Sequence, residues 1–178
     1  MCMAYSNSLR SSCLKRKVGS VIVDAKGNVF SSGYNEVPLF EKPCPSLYED
    51  YYRSNKKKEI EKIFDSGGVS DDLKGNILAK MKLLEKCRAL RAEENAILNV
   101  ARFGSATVLK GATLYTTTYP CNLCANKIAQ MGIKKIVYYE PYPVKEAKDT
   151  LEKAHVTQEM FEGITFNAYF RVFNEIIL

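Results

Sequence analysis

The apolar residues in the first part of the chain follow a helical period and then a strand-like one. Over residues 4–16 they recur about every four positions, which predicts a helix. Two runs rich in β-branched and aromatic residues follow at 18–23 and 29–34, separated by a turn that contains Gly27. This pattern predicts an antiparallel β-hairpin.

A highly charged stretch follows the hairpin. Its Lys- and Glu-rich segments predict two helices at residues 48–63 and 73–84, on either side of Gly67-Gly68. We interpret residues 46–85 or thereabouts as a helical insertion within a single domain that covers residues 1–178.

The second half of the chain alternates helical and strand patterns. Gly132 stands where a helix is expected to stop, because glycine adopts the left-handed conformation easily. The predicted helices are 92–102, 121–131 and 144–154, and the predicted strands are 112–117, 136–139 and 164–173. Together with the hairpin, this alternation predicts an α/β protein with a mixed five-stranded sheet and helices on both faces.

Composition limits the functions that fit the chain. Its 178 residues are 46% hydrophobic, enough for one well-buried domain. The net charge of +6 suits an anionic ligand, and its dispersion over the sequence argues against nucleic acid as a partner. Neither a membrane-spanning run nor a secretion signal is present, so a cytoplasmic protein is expected. The six cysteines then indicate metal or thiol chemistry rather than a disulfide framework.

The strongest candidate site combines Arg91-Ala92-Glu93 with Pro120-Cys121-Asn122-Leu123-Cys124. Cys121 and Cys124 are spaced to point the same way from the start of a helix, where unpaired N–H groups favour thiolate. In a catalytic zinc site, two thiolates and one more ligand can hold a Zn²⁺ that activates water, and a nearby carboxylate moves protons. Cys121, Cys124 and Glu93 are the candidates for these roles. The Cys pair alone also fits a redox pair or half of a structural zinc site.

These residues resemble the H-x-E…P-C-x-x-C signature of zinc-dependent nucleobase deaminases, except that Arg91 stands where the signature has His. Deoxycytidylate deaminases have similar residues at positions 12–23, at Gly33-Tyr34-Asn35 and at positions 118–124. The resemblance covers nearly the whole chain outside the insertion. The resemblance implies a cytidine deaminase-like three-layer αβα sandwich. It also implies the hydrolysis of a deoxycytidine nucleotide (dCMP or dCTP) to the deoxyuridine nucleotide and ammonia.

The same resemblance assigns roles to individual residues. Ordinary helix hydrogen bonding is the alternative for Asn95, and ordinary packing is the alternative for Tyr142. The implied roles are zinc ligation for Cys121 and Cys124, general acid/base for Glu93, and substrate contacts for Asn35, Asn95, Tyr119 and Tyr142. A homo-oligomer is also implied. Residues 87–96 are similar to larger antiphage deaminases, in which a P-loop NTPase domain precedes this one.

Arg91 sets the main question about the site. Guanidinium has no lone pair to give to a metal, and its charge repels Zn²⁺. Three outcomes are open. The metal site is empty and Arg91 pairs with the thiolates or with Glu93, or Cys87 supplies the third ligand as a sulfur. In the third outcome, Arg91 is an inactivating substitution in an otherwise normal enzyme. The single histidine, His155, is expected at the surface. The alternative function is therefore a catalytically inactive nucleotide-binding or assembly module.

The remaining cysteines suggest a second metal site. The resemblance places a structural Zn²⁺ on Cys13, Cys44 and Cys87, with Cys2 as a conceivable fourth ligand; three separate thiols are the alternative. A disulfide oxidoreductase built on the Cys121–Cys124 pair would leave Glu93 unexplained.

Overall fold

The computed structural model describes residues 1–39, 41–44, 52–81, 87–103, 106–142 and 144–164. The chain divides into two compact units. Unit 1 comprises residues 1–36 and 91–178, and unit 2 comprises residues 37–90. The range 46–85, predicted as a helical insertion, falls within unit 2.

Unit 1 contains a five-stranded sheet. Its strands are β1 (Gly19–Val23), β2 (Val29–Tyr34), β3 (Thr113–Thr118), β4 (Lys135–Glu140) and β5 (Thr157–Met160). They lie in the order β2-β1-β3-β4-β5. The pairs β1–β2 and β1–β3 are antiparallel, and the pairs β3–β4 and β4–β5 are parallel. The predicted mixed five-stranded sheet and the α/β class are confirmed.

Four α-helices in the described part of unit 1 accompany this sheet. They are α1 (Cys2–Ser8), α4 (Ala92–Arg102), α5 (Asn122–Gln130) and α6 (Lys145–Lys153). A turn of 3₁₀ helix, Ala106–Leu109, leads into β3. Two more helices, α2 (Tyr52–Ser66) and α3 (Asp71–Lys80), belong to unit 2.

Two glycines show that helices cover both faces of the sheet. A Cβ on Gly19 would lie 2.0 Å from the carbonyl oxygen of Ala4 in α1. A Cβ on Gly33 would lie 2.3 Å from the carbonyl oxygen of Ala92 in α4. Because Gly33 pairs with Ser20, the residue after Gly19, the two glycines face opposite ways. α1 and α4 therefore pack on opposite faces, and each approach is close enough to require glycine.

The main core lies on the face covered by α4. Ile22, Leu114 and Ile136 are neighbours across β1, β3 and β4, and none of them is exposed. They pack in one cluster with apolar residues of α4, α5 and α6, including Ala96, Val100, Ala125, Ile128, Ala147 and Leu151. Burial of a Val, Leu or Ile side chain contributes roughly 1.5–3 kcal/mol to the stability of the folded state. This core holds the start of α4 and the start of α5 on one side of the sheet.

Unit 2 has its own small apolar cluster. Val37, Cys44 and Ala89 are buried together, and Cys87 packs against them. The Arg88 guanidinium forms an ion pair with a carboxylate on the same unit, Glu41. None of the described helices, in either unit, is long and apolar enough to cross a membrane.

The first helix is shorter than the sequence predicts. It ends at Ser8, not near Arg16, because polar groups of the following segment bond to the end of the hairpin. Ser11 Oγ donates to the Asn35 carbonyl oxygen at 2.6 Å, and Ser12 Oγ donates to the Glu36 carboxylate at 2.6 Å. Such side-chain bonds compete with helix continuation.

Parts of three predicted segments lie outside the described residues, and one observed strand was not predicted. Residues 48–51 and 82–84 of the two predicted insertion helices lie outside the described residues. The predicted last strand, 164–173, also lies outside them except for Ile164. The fifth strand among the described residues is β5, which the sequence analysis did not predict.

Candidate active site

Helix α4 carries the first half of the site and is fixed to the hairpin by polar contacts. Its N-cap is Arg91, and Glu93 lies in its first turn. Asn95 Nδ2 donates to the Tyr34 carbonyl oxygen at 2.9 Å, and Ser31 Oγ donates to the Ala96 carbonyl oxygen at 2.7 Å. With the close approach at Gly33, these bonds set the height of Glu93 above the sheet.

Helix α5 carries the second half of the site. Pro120 is fully buried just before it, Cys121 is its N-cap, and Cys124 lies in its first turn with no exposed surface. Proline suits this position because its missing N–H would have no helical partner there. Lys127 Nζ lies 3.1 Å from Glu94 Oε1, which links α5 to the start of α4.

The two helix starts bring four functional side chains together. The Cys121 and Cys124 thiols share a hydrogen bond, and the Glu93 carboxyl is hydrogen-bonded to Cys124. The Arg91 guanidinium is hydrogen-bonded to Cys121. The two sulfurs and the carboxylate that were predicted to form the site do meet, with the guanidinium beside them.

Glu93 is an unusual carboxyl group because it is almost completely buried, with 4% of its surface exposed. Burial disfavours the ionised form and raises the pKa of Glu93 to about 7, against the opposing effect of its hydrogen bonds. Thr116 Oγ1 lies 3.2 Å from Glu93 Oε1 and 3.0 Å from the Thr118 carbonyl oxygen. The carboxyl can therefore both hold and release a proton near neutral pH, the property of a general acid/base.

The two thiols have opposite acidities. The hydrogen bond from Cys124 and the charge of Arg91 lower the pKa of Cys121 to about 5, although burial opposes this. The hydrogen bond to Cys121, burial and the neighbouring Glu93 raise the pKa of Cys124 well above its ordinary value. Burial works against the charged form of Arg91, but the attraction of Cys121 and Cys124 raises its pKa overall. The Arg91 guanidinium and the Cys121 thiolate thus stabilise each other's charged forms.

The sequence and the fold both have known counterparts. The family profile described as the cytidine and deoxycytidylate deaminase zinc-binding region matches residues 1–140. The chain belongs to this family. It is 38% identical over 151 residues to the deoxycytidylate deaminase of Enterobacteria phage T2, covering 79% of this chain and 77% of that protein. It is 32% identical over 167 residues to the deoxycytidylate deaminase of Saccharomyces cerevisiae, covering 90% of this chain and 43% of that protein.

Solved structures of deaminases share the fold. A dCMP deaminase from the cyanophage S-TIM5, solved in complex with dCMP and dUMP, is 26% identical to this chain. It superposes with a TM-score of 0.62 and covers 89% of this chain and 91% of that one. The cytidine deaminase-like sandwich that the motifs imply is therefore confirmed.

Zinc is the metal that this deaminase family implies, and the side chains around Cys121 do not fit it as they stand. A catalytic zinc takes three protein ligands. Two thiols are available, and Arg91 beside them has five N–H donors and no lone pair. Within the described part of the chain, no group of three or more His, Cys, Asp or Glu side chains could hold a metal. The chain therefore departs from its family at the metal.

The two asparagines predicted to contact substrate both bond to backbone groups. Asn35 Oδ1 accepts from the Val18 N–H at 2.7 Å, and Asn35 Nδ2 donates to the Arg16 carbonyl oxygen at 2.8 Å. Asn95 Nδ2 bonds to Tyr34 in β2, so it ties a helix to the sheet. Each amide keeps further hydrogen-bonding capacity, and their contact with a sugar stays a prediction.

The two tyrosines predicted to contact substrate line a cavity of about 680 Å³. Tyr119 is 8% exposed, its hydroxyl is hydrogen-bonded to Gln158, and burial raises its pKa to about 12. Tyr142 is exposed, and the Arg16 guanidinium carbon lies over its ring, 5.7 Å from the ring centroid. The residues that line this cavity do not include Glu93 or the two thiols. The structure therefore places Tyr119 and Tyr142 at a cavity that is not lined by the thiols, and their role toward substrate stays a prediction.

The other predicted metal ligands are distributed over both units. Cys44 and Cys87 lie in the apolar cluster of unit 2, whereas Cys13 and Cys2 belong to unit 1. The second zinc stays a prediction. His155 follows the end of α6 with a positive φ of 54° and is exposed, so its predicted surface location is confirmed.

One functional neighbour escaped the sequence analysis. Thr116 contacts Glu93 from β3, although strand patterning treats its run of threonines as ordinary β-formers. A signal was present: Thr116 lies two residues after the buried Leu114, so both side chains face the same helix layer.

Proposed function

We propose that this chain binds a deoxycytidine nucleotide, with dCMP as the first candidate. We further propose that hydrolytic deamination is the reaction for which its site is built, and that Arg91 slows it severely. The observation that carries the proposal is the buried Glu93 carboxyl, with a pKa of about 7, held against the Cys121–Cys124 pair. Support for dCMP comes from the names of the phage and yeast relatives and from the cyanophage complex with dCMP and dUMP.

The reaction replaces the 4-amino group of cytosine by the oxygen of water and releases ammonia. One group has to take a proton from water and return protons to the ring nitrogen and the departing amine. Glu93 has the required proton affinity, and Thr116 fixes one of its oxygens at 3.2 Å. In this proposal, Glu93 performs the proton transfers and the rigid attachment of α4 to β2 keeps it in position.

Arg91 separates this chain from an efficient enzyme. Its guanidinium bonds to Cys121, one of the two sulfurs available as metal ligands. Loss of a residue that only orients a metal ligand already costs about 10- to 100-fold in affinity or activity. We therefore expect turnover at least about 100-fold below that of the same chain with histidine at position 91.

The test compares the wild-type chain with Arg91→His. Zinc content, dCMP affinity and ammonia release from dCMP and dCTP are measured for both proteins. We expect Arg91→His to gain about one zinc per chain and to deaminate dCMP, while both proteins bind dCMP. Glu93→Gln in the Arg91→His background is the control, because it should keep zinc and lose turnover.

Two results would contradict the proposal. If Arg91→His holds zinc but deaminates neither nucleotide, the substrate assignment is wrong. If both proteins bind dCMP, but neither holds zinc and neither turns dCMP over, the chain is the alternative, an inactive nucleotide-binding or assembly module; the attraction between Arg91 and Cys121 is the observation in its favour. Light scattering on the same samples tests the predicted homo-oligomer.

A further inference from the structure

Ser20 is a buried polar residue of β1 that belongs to no part of the deaminase motif, and none of its surface is exposed. It pairs with Gly33 of β2 on one side and with Thr116 of β3 on the other. Residues that pair directly face the same side of a sheet. Both neighbours face α4, because a Cβ on Gly33 would meet the α4 backbone and the Thr116 hydroxyl contacts Glu93. The Ser20 hydroxyl therefore points into the layer between the sheet and the first turns of α4.

The Ser20 hydroxyl is buried there without a hydrogen-bond partner. In the part of the chain that the structure describes, no group bonds to Ser20 Oγ, although the atom is inaccessible to solvent. An unbonded buried hydroxyl is costly, and most such groups in folded proteins bond to protein or to an ordered water. Ser31 in the same layer follows this rule, since its Oγ donates to the Ala96 carbonyl oxygen at 2.7 Å. The Ser20 hydroxyl thus indicates a partner that is not a protein group.

The neighbouring Thr116 hydroxyl has too few hydrogens for the oxygens around it. Thr116 Oγ1 lies 3.2 Å from Glu93 Oε1 and 3.0 Å from the Thr118 carbonyl oxygen. A hydroxyl has one hydrogen and two lone pairs, so it donates to only one of these oxygens at a time. One water molecule would supply what both hydroxyls lack: it accepts from Ser20 Oγ and donates to Thr116 Oγ1 and Glu93 Oε1. Buried waters typically make about two to four such bonds.

We propose that Ser20, Thr116 and Glu93 form a binding site for one buried water molecule beneath the first turn of α4. The water and the Thr116 hydroxyl together hold one oxygen of the Glu93 carboxyl against the sheet. Ser20 is then a positioning residue, because it acts on Glu93 through the water and does not touch substrate. The water site does not depend on the proposed function, whereas its effect on turnover rests on that function.

A crystal structure of the wild-type chain, at a resolution that shows ordered waters, tests the site directly. We expect density for one water about 2.5–3.2 Å from Ser20 Oγ and at a similar distance from Thr116 Oγ1 or Glu93 Oε1. The proposal is overturned if there is no density beside Ser20 Oγ, or if a protein group bonds to that oxygen directly.

Ser20→Ala distinguishes a water-bound hydroxyl from an unbonded one by the sign of its effect on stability. Removing a hydroxyl that holds a water loses hydrogen bonds and lowers the urea midpoint, whereas removing an unbonded buried hydroxyl raises it. Ser31→Ala is the matched control, because it loses a direct bond to Ala96 in the same layer. We expect both variants to unfold at a lower urea concentration than the wild type. An unchanged or higher midpoint for Ser20→Ala contradicts the water site.

The effect on Glu93 is measured by turnover in the Arg91→His background, in which the proposed function predicts deamination of dCMP. Ser20→Ala should lower kcat about 10-fold, the equivalent of one lost hydrogen bond, and leave KM unchanged. Thr116→Ser, which keeps the hydroxyl, should retain more activity than Thr116→Val, which loses it. A raised KM with an unchanged kcat would overturn the positioning role. If Arg91→His itself turns over no dCMP, the proposed function fails, and the positioning role is decided by whether the Glu93 carboxyl moves in a crystal structure of Ser20→Ala.

Discussion

The approach of α4 to β2 at Gly33 gives the sharpest test of how the fold positions the site. A Cβ at Gly33 would lie 2.3 Å from the Ala92 carbonyl oxygen and 2.4 Å from the Ala96 nitrogen. Both contacts are with backbone, which cannot rotate away as a side chain can. Ordinary contacts of a Cβ begin near 3.4 Å, so Gly33→Ala would push α4 outward by about 1 Å.

The expected cost follows from overpacking at a site that cannot relax locally. Inserting one methyl group into a well-packed core costs about 1–3 kcal/mol, and two simultaneous backbone clashes place Gly33→Ala at or above the upper end. The displaced helix segment also carries Glu93, whose 3.2 Å contact with Thr116 would lengthen. We therefore expect a loss of about 3 kcal/mol in the free energy of unfolding.

Urea denaturation followed by circular dichroism measures this loss. Gly75→Ala is the matched control, because a Cβ at Gly75 in α3 meets nothing within 4 Å. Both changes reduce the freedom of the unfolded chain equally, and in a helix the control should gain about 0.5–1 kcal/mol. A Gly33→Ala protein that unfolds at the wild-type urea concentration would refute the close approach, and with it the described position of α4.

Three further predictions concern single polar groups. Burial keeps Glu93 protonated between pH 4.5, its ordinary pKa, and about 7, whereas the unfolded chain ionises over that interval. The free energy of unfolding of the wild-type chain should therefore fall relative to Glu93→Gln as the pH rises from about 4.5 to 7. The fall should reach about 3 kcal/mol and then level off; parallel pH dependences in urea titrations would contradict this. Tyr119→Phe removes the hydroxyl bonded to Gln158 and should cost about 1 kcal/mol in the same assay, while an unchanged midpoint would show that the contact is not stabilising. Asn35→Ala removes two side-chain bonds to the segment before β1 and should cost about 2 kcal/mol, and a loss below roughly 0.5 kcal/mol would refute that role.

Most of unit 1 could be predicted because local sequence and packing agree there. The hairpin rests on a β-branched run with a glycine turn, and α5 begins after a proline and ends just before Gly132, whose φ is 71°. These signals act within a few residues and do not depend on the rest of the fold. The predicted and observed bounds of α4 are accordingly the same, 92–102.

The elements that were missed depend on distant partners. α1 stops at Ser8 because the residues after it bond to Asn35 and Glu36, some 24 positions along the chain. β5 is a polar four-residue strand, the last in order among the described strands, and its side chains are largely exposed, so it has no alternation to detect. Its pairing with β4 follows from the position of α6, which returns the chain to the sheet edge. Periodicity alone contains none of this information.

The site shows the same division between what residue types reveal and what geometry adds. The resemblance to the deaminase signature predicts that Cys121, Cys124 and Glu93 meet, because the reaction of the family requires it. The behaviour of Arg91 is a property of the assembled site, since a guanidinium repels a dication but attracts a thiolate. The structure places it against Cys121, where its charge stabilises the anion that a metal would otherwise neutralise. In this chain, the positive charge that faces the Cys121 thiolate is therefore the guanidinium of Arg91. This is why Arg91→His should give the two sulfurs a third metal ligand and, in the proposed function, restore deamination.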